Sequence, residues 1–139
     1  LETIATTLTL AETGHLVFAT LHTYSAATTV ERIVDAFPPH QQNQIRLQLA
    51  SVLRAVVTQQ LLPKLGGGRI AVREVMFNIS AISNLIREGK SAQVDTVLQT
   101  SGKYNMYTLA QDAKRLVAEG LIDAKAAQTL VIRPRERVV

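Results

Sequence analysis

The stretch ETGHLVFATLHT, residues 12–23, decides the predicted fold. Its middle residues, 16–21, are almost all apolar, and His15 and His22 bound them. A short apolar run of this kind is typical of a strand buried on both faces, as in a parallel sheet covered by helices. The sequence therefore predicts an α/β fold with a buried strand at 16–21.

Composition limits the class of protein. The 139 residues suit a single domain, and the 47% of apolar residues are enough for a core. The absence of cysteine excludes disulfides, cysteine-based zinc sites and thiol catalysis. The net charge of +4 is scattered apart from Arg133, Arg135 and Arg137, and aromatic residues that could stack on bases are few. We therefore predict no nucleic-acid partner.

Helical patterns flank the predicted strand. Residues 1–12 form a helical pattern that Gly14 ends, and this abrupt start suggests a cut inside a domain. Ser25 is a suitable N-cap for the next helix, which Pro38 ends. The apolar spacing then predicts one long helix from Gln41 to Gln59.

A hairpin and several short helices complete the predicted chain. Strands are predicted at 60–62 and 69–77, joined by a glycine-rich turn. That turn lacks the Gly-Lys-Ser/Thr ending and the following helix of a phosphate-binding loop. Helices are then predicted to the end of the chain, with Ser80, Ser91, Thr108 and Asp123 as their N-caps.

His22 is the first candidate for chemistry. It stands where the predicted strand ends and a helix begins, the place where open α/β sheets bind ligands. From the residues alone it is either a phosphate contact or an ordinary surface histidine. His15 lies seven residues earlier, roughly 23 Å away along a strand, and on the opposite face. The two histidines therefore cannot serve one phosphate, and without a carboxylate cluster no metal site is predicted.

The second candidate is an amphipathic segment, residues 81–88, which by pattern alone is an ordinary helix with one solvated face. The side chains expected in the core are Ile82, Leu85 and Ile86. The side chains expected to point outward are Asn84, Arg87 and Glu88.

Together these two segments resemble a known family. Residues 12–23 closely resemble the histidine box of the type II/IV secretion ATPases, and residues 81–88 resemble the signature of the pilus retraction ATPases. Residues 1–4 resemble the stretch that follows the Walker B strand of that family. Ser83 departs from the signature, which has arginine at that position.

The resemblance implies a C-terminal portion of a RecA-like P-loop NTPase domain at 1–79, followed by a helical subdomain at 80–139. The parent would be a hexameric cytoplasmic ATPase that uses ATP and Mg²⁺ at the inner-membrane base of a type IV pilus, in contact with the platform protein, and drives retraction and twitching. His22 would sense the terminal phosphate, and His15 would support the box. The residues implied in retraction are Ala81, Ile82, Asn84, Leu85, Ile86, Arg87 and Glu88.

The phosphate-binding parts of the family pattern are not found in this sequence, which contains no Gly-x-x-x-x-Gly-Lys-Ser/Thr. We therefore predict that the chain alone hydrolyses no ATP and binds no nucleotide tightly. Two alternatives stay open. One is a type II secretion or pilus-extension ATPase, although those relatives commonly carry a four-cysteine zinc module. The other is a non-enzymatic helical adaptor.

Overall fold

Three helices open the computed structural model, which describes residues 2–130. They are α1 (Glu2–Glu12), α2 (Ala26–Asp35) and α3 (Pro39–Val52). The predicted cap of α2 is confirmed, because the Ser25 hydroxyl accepts from the Thr28 amide and the Thr28 hydroxyl accepts from the Ser25 amide. This reciprocal pair fixes the point at which the chain turns from the loop after α1 into α2.

The predicted strand at 16–21 is wrong. Residues 15–23 have no regular secondary structure, and the side chains of Leu16 and Phe18 are 77% and 88% exposed. A parallel strand is stable only when neighbouring strands satisfy its backbone groups. Among residues 2–130 the only sheet has two strands, and neither pairs with this segment.

The two strands form an antiparallel hairpin of β1 (Ala55–Pro63) and β2 (Arg69–Phe77). The predicted hairpin is therefore confirmed in kind, but β1 begins at Ala55, so the predicted helix to Gln59 is wrong after Val52. β-Branched residues at 56–58 pair with β2 in full register, and this pairing satisfies backbone groups along nine residues.

Four helices follow the hairpin: α4 (Ser80–Arg87), α5 (Val94–Thr100), α6 (Leu109–Ala118) and α7 (Ala124–Ala127). Short 3₁₀ turns at 91–93 and 102–104 stand before and after α5. The predicted caps of the last two helices are confirmed, since side chains at 108 and 123 accept helix amides.

The other two predicted caps are wrong. Ser80 is the first residue of α4, whose N-cap is Ile79 and has no side-chain hydrogen bond. Ser91 begins a 3₁₀ turn, and its hydroxyl donates to Glu31 Oε1 at 3.0 Å. Helix α4 thus begins one residue earlier than predicted, and the Ser91 hydroxyl bonds a residue of α2 in place of a helix amide.

The apolar core consists of two clusters. The larger joins α1, α2 and α3 to α4 and α5. The smaller lies between one end of the hairpin and the last two helices. Members of the smaller cluster are Leu62, Val72, Leu109, Ala113, Leu116, Ile122 and Leu130. The division of the chain at residue 79 stays a prediction.

A polar clamp fastens α6 to the hairpin. Buried Asp112 accepts the Arg73 backbone amide through Oδ2 at 2.8 Å and the Arg115 guanidinium through Oδ1 at 2.7 Å. Arg115 also pairs with Glu119 at 2.9 Å. The hydrogen bond to Asp112, followed by the one to Glu119, raises the pKa of Arg115 above its ordinary value.

The basic residues Arg133, Arg135 and Arg137 lie outside the described residues, as does Leu1. None of the helices described between residues 2 and 130 is long and apolar enough to cross a bilayer.

Candidate functional site

His22 lies in the loop that connects α1 to α2. The loop starts at Gly14, whose φ of +90° ends α1 as predicted. His22 has a φ of +51°, which is uncommon for a residue with a side chain. Thr23, directly after it, hydrogen-bonds the hydroxyl of Thr29 in α2. The local backbone is therefore held in an unusual conformation beside the start of α2, as happens at functional sites.

The exposed imidazole of His22 lines a shallow cavity of about 600 Å³ on one side of α2. Charged neighbours in this cavity are Glu31, Arg32 and Asp35. An imidazole there can donate one hydrogen bond to a phosphate oxygen. Two carboxylates against one guanidinium do not favour a polyphosphate, so the described residues make at most one side of a nucleotide site.

The two predicted histidines do not line the same cavity. His15 Nδ1 lies 3.0 Å from the hydroxyl of Thr13, at the exposed end of α1. His15 does not line the cavity that contains His22. The predicted placement of the two histidines on opposite faces of one strand is wrong, because residues 15–23 form an irregular loop. That they cannot serve one phosphate stays a prediction. The supporting role of His15 stays a prediction.

Glu74 is a buried carboxylate that sequence reasoning missed. It is 4% exposed on β2, and its Oε1 accepts the backbone amide of Ala26 at 2.7 Å. Its Oε2 accepts the amide of Leu109 at 3.4 Å. These amides are the first of α2 and α6, so one carboxylate lies at two helix N-termini.

A signal for Glu74 is visible in the sequence. Alternation along the strand places residues 72, 74 and 76 on one face, and both of Glu74's neighbours on that face are apolar. The carboxylate links α2, the helix that follows His22, to α6 and is therefore a structural bridge between these two helices.

The predicted buried and exposed faces of residues 81–88 are confirmed in helix α4. Ile82 and Ile86 are fully buried, and Leu85 packs against the same cluster. The polar residues predicted to face outward, together with Ala81, are exposed. These exposed residues are Ala81, Asn84, Arg87 and Glu88. They make two separate contacts: Arg87 donates to Asn84 Oδ1 at 3.0 Å, and Glu88 pairs with Lys90 at 2.7 Å.

Ser83 has a structural role where the family signature has arginine. It is 8% exposed, and its hydroxyl donates to the carbonyl of Ala50 at 3.0 Å. The side-chain amide of Asn78 donates to the carbonyls of Ala50 and Leu53 at 2.9 Å each. These bonds satisfy carbonyls at the end of α3 and connect α4 to it.

The part of the chain between residues 2 and 130 brings together no three His, Cys, Asp or Glu side chains that could hold a metal ion. The candidate site therefore consists of a histidine loop and a polar helix face, joined through the core.

Comparison with known proteins shows what this chain is similar to. Residues 1–67 match the family model described as type II/IV secretion system protein. Over 128 residues the chain is 51% identical to the type IV pilus retraction ATPase PilT of Pseudomonas aeruginosa, covering 92% of this chain and 37% of that protein. A twitching motility protein of Neisseria gonorrhoeae is 48% identical over 128 residues, which are 91% of this chain and 34% of that protein.

The chain is a homologue of the pilus retraction ATPases. A crystal structure of the pilus retraction motor PilT with bound ADP superposes on it with a TM-score of 0.87 at 45% identity, over 98% of this chain and 38% of that one. The mixed helix and strand architecture is thus a C-terminal portion of a RecA-like ATPase domain, as predicted. The chain spans about a third of the length of the curated relatives it matches.

Proposed function

We propose that this chain is the C-terminal segment of a hexameric ATPase motor that powers type IV pilus retraction and twitching motility. The observation that carries the proposal is the 51% identity to a retraction ATPase across 92% of the chain, including both candidate segments. The parent would hydrolyse ATP with Mg²⁺, and its partners would be copies of itself and the platform protein. It would act in the cytoplasm, at the inner-membrane base of the pilus.

His22 is the proposed phosphate sensor. Its positive φ, its exposure and its place beside the start of α2 support this role. The carboxylates near it do not favour polyphosphate binding, so the phosphate-binding loop and the metal-binding carboxylates would come from other segments of the parent. His15 would support the same loop from the end of α1. The isolated chain should accordingly show no ATP turnover.

The exposed residues of α4 are proposed to act in retraction and not in hydrolysis. They present polar groups to solvent while the opposite helix face is locked in the core. A force-transmitting contact needs this combination, because a surface group can transmit force only if its backbone is held rigidly. The lack of cysteine favours retraction over secretion or extension, whose ATPases commonly carry a cysteine-bound zinc module.

The test separates hydrolysis from retraction in the full-length parent. His22→Ala should lower ATP turnover by at least tenfold, by analogy with the roughly 10²–10³-fold loss that follows removal of one oxyanion-hole donor. His40→Ala, which removes an exposed histidine on α3, is the matched control and should leave turnover unchanged. Arg87→Ala combined with Glu88→Ala should abolish twitching while ATP turnover stays within about twofold of the wild type.

Three results would contradict the proposal. ATP turnover by the isolated chain, if His22→Ala abolishes it, would refute the proposal that the phosphate-binding loop lies in another segment of the parent. Restored pilus assembly, without twitching, in a strain that lacks its extension ATPase would indicate the extension class. DNA binding that weakens steeply with salt would indicate the adaptor.

A further inference from the structure

A second cavity of about 550 Å³ lies where the end of α3, the end of β2 and the start of α4 meet. Its charged lining residues are both arginines, Arg54 and Arg87, and none of its lining residues is acidic. It does not share a lining residue with the cavity beside His22. The two cavities therefore differ in chemistry as well as in place.

The positive charge of this cavity is not neutralised within the described residues. Neither arginine takes part in an ion pair among residues 2–130. Arg87 donates to the neutral amide oxygen of Asn84, and that bond leaves the charge in place. Two guanidinium groups that share a cavity repel each other, and a carboxylate or phosphate between them turns this repulsion into charge-assisted hydrogen bonds.

The N-terminus of α4 also attracts an anion, more weakly than the two arginines do. Its N-cap Ile79 supplies no side-chain acceptor, so no side chain caps the first backbone amides of the helix. Both Ile79 and Ser80 line the cavity. The positive end of the helix dipole therefore lies at the cavity wall and favours an anion there.

The apolar part of the wall indicates what carries the anion. Leu53 and Phe77 line the cavity beside the arginines, and Phe77 is 43% exposed. A free phosphate gains nothing from such a surface, whereas a peptide can set an apolar side chain on it next to a carboxylate. We propose that this cavity binds an acidic segment of a partner protein through a carboxylate held by Arg54 and Arg87. Its meaning for retraction rests on the proposed function, because Arg87 belongs to the retraction residues.

The proposal is tested by measuring how tightly a dye-labelled acetyl-Gly-Glu-Leu-Glu-Gly-amide peptide binds the 139-residue chain, by fluorescence anisotropy. Its counterpart with glutamine in place of glutamate is the matched probe, and inorganic phosphate is the competitor. The glutamate peptide should bind at least about tenfold more tightly than the glutamine peptide. Arg54→Ala and Arg87→Ala should each weaken binding by about tenfold or more, and their thermal midpoints should stay unchanged because both residues are exposed.

Arg69→Ala is the control, since it removes the same charge from an exposed position outside the cavity. Equal weakening by Arg69→Ala would show attraction to net charge alone and overturn the proposal. Equal binding of both peptides, or phosphate binding as tight as the peptide's, would also overturn it. Failure of the proposed function would show separately, as an ATP turnover in the parent that His22→Ala does not change.

Discussion

The histidine loop at 15–23 and helix α4 carry the two most informative motifs of this chain, yet they are stabilised in opposite ways. Phe18 in the loop is 88% exposed, whereas Ile86 in α4 is fully buried. A helix satisfies most of its backbone hydrogen bonds internally and needs a covered face only on one side. A parallel strand needs a partner for its backbone and cover on both faces. The difference shows that one face of α4 is packed among the described residues and that the loop is not.

Truncating one apolar side chain in each region tests this comparison most strongly. Ile86→Ala should lower the free energy of unfolding by about 4 kcal/mol, because it leaves a cavity in a closed core. Phe18→Ala should change it by less than about 0.5 kcal/mol, since an exposed ring loses almost no contacts. Urea denaturation of the 139-residue chain measures both values.

The same two substitutions, made in the parent protein, sharpen the comparison. There the RecA-like sheet would cover the loop, and Phe18→Ala should cost about 3–5 kcal/mol. A cost above about 2 kcal/mol for Phe18→Ala in the 139-residue chain would show that the loop is already packed, and it would remove the contrast with α4.

Local signals allowed much of the fold to be predicted. The caps at Ser25, Thr108 and Asp123 were correct because each side chain bonds an amide only two or three residues away. The helix predicted through Gln59 was wrong for a reason of spacing. Residues 52 and 56 stand four apart, which fits one helix face and equally one strand face, and only the pairing with β2 decides between them.

The candidate site shows the same limit. The buried and exposed faces of α4 follow from its own periodicity, so they could be predicted. The bridging contacts of Glu74 join residues 48 and 35 positions apart, and no local pattern specifies such a pair. The two arginines that line the second cavity, Arg54 and Arg87, are likewise 33 positions apart, since 87 − 54 = 33.

Glu74 joins α2 to α6, and removing its carboxylate should have the next largest effect. Glu74→Ala should lower the free energy of unfolding by roughly 2–3 kcal/mol, because two buried amides lose their acceptor at helix N-termini. Hydrogen exchange should show that the amides of Ala26 and Leu109 lose protection together.

Glu119→Gln is the control for this substitution. It alters an exposed carboxylate whose ion pair with Arg115 is worth at most about 1 kcal/mol. If Glu74→Ala exposes the Ala26 amide and leaves the Leu109 amide protected, Glu74 caps α2 only and does not join α2 to α6.

The smallest expected effect concerns the backbone of His22, the strained point of the loop. A residue with a side chain at a φ of +51° destabilises the folded state by roughly 1 kcal/mol. Glycine removes that cost, but it loses more conformational entropy on folding, which cancels about half of the gain. His22→Gly should therefore raise the free energy of unfolding by about 0.5 kcal/mol, whereas β-branched His22→Val should lower it by about 1 kcal/mol or more. Urea denaturation of the two variants measures the difference between them. Equal stabilities would mean that the loop does not hold a left-handed residue at this position, and the strain would then not be part of the phosphate-sensing proposal.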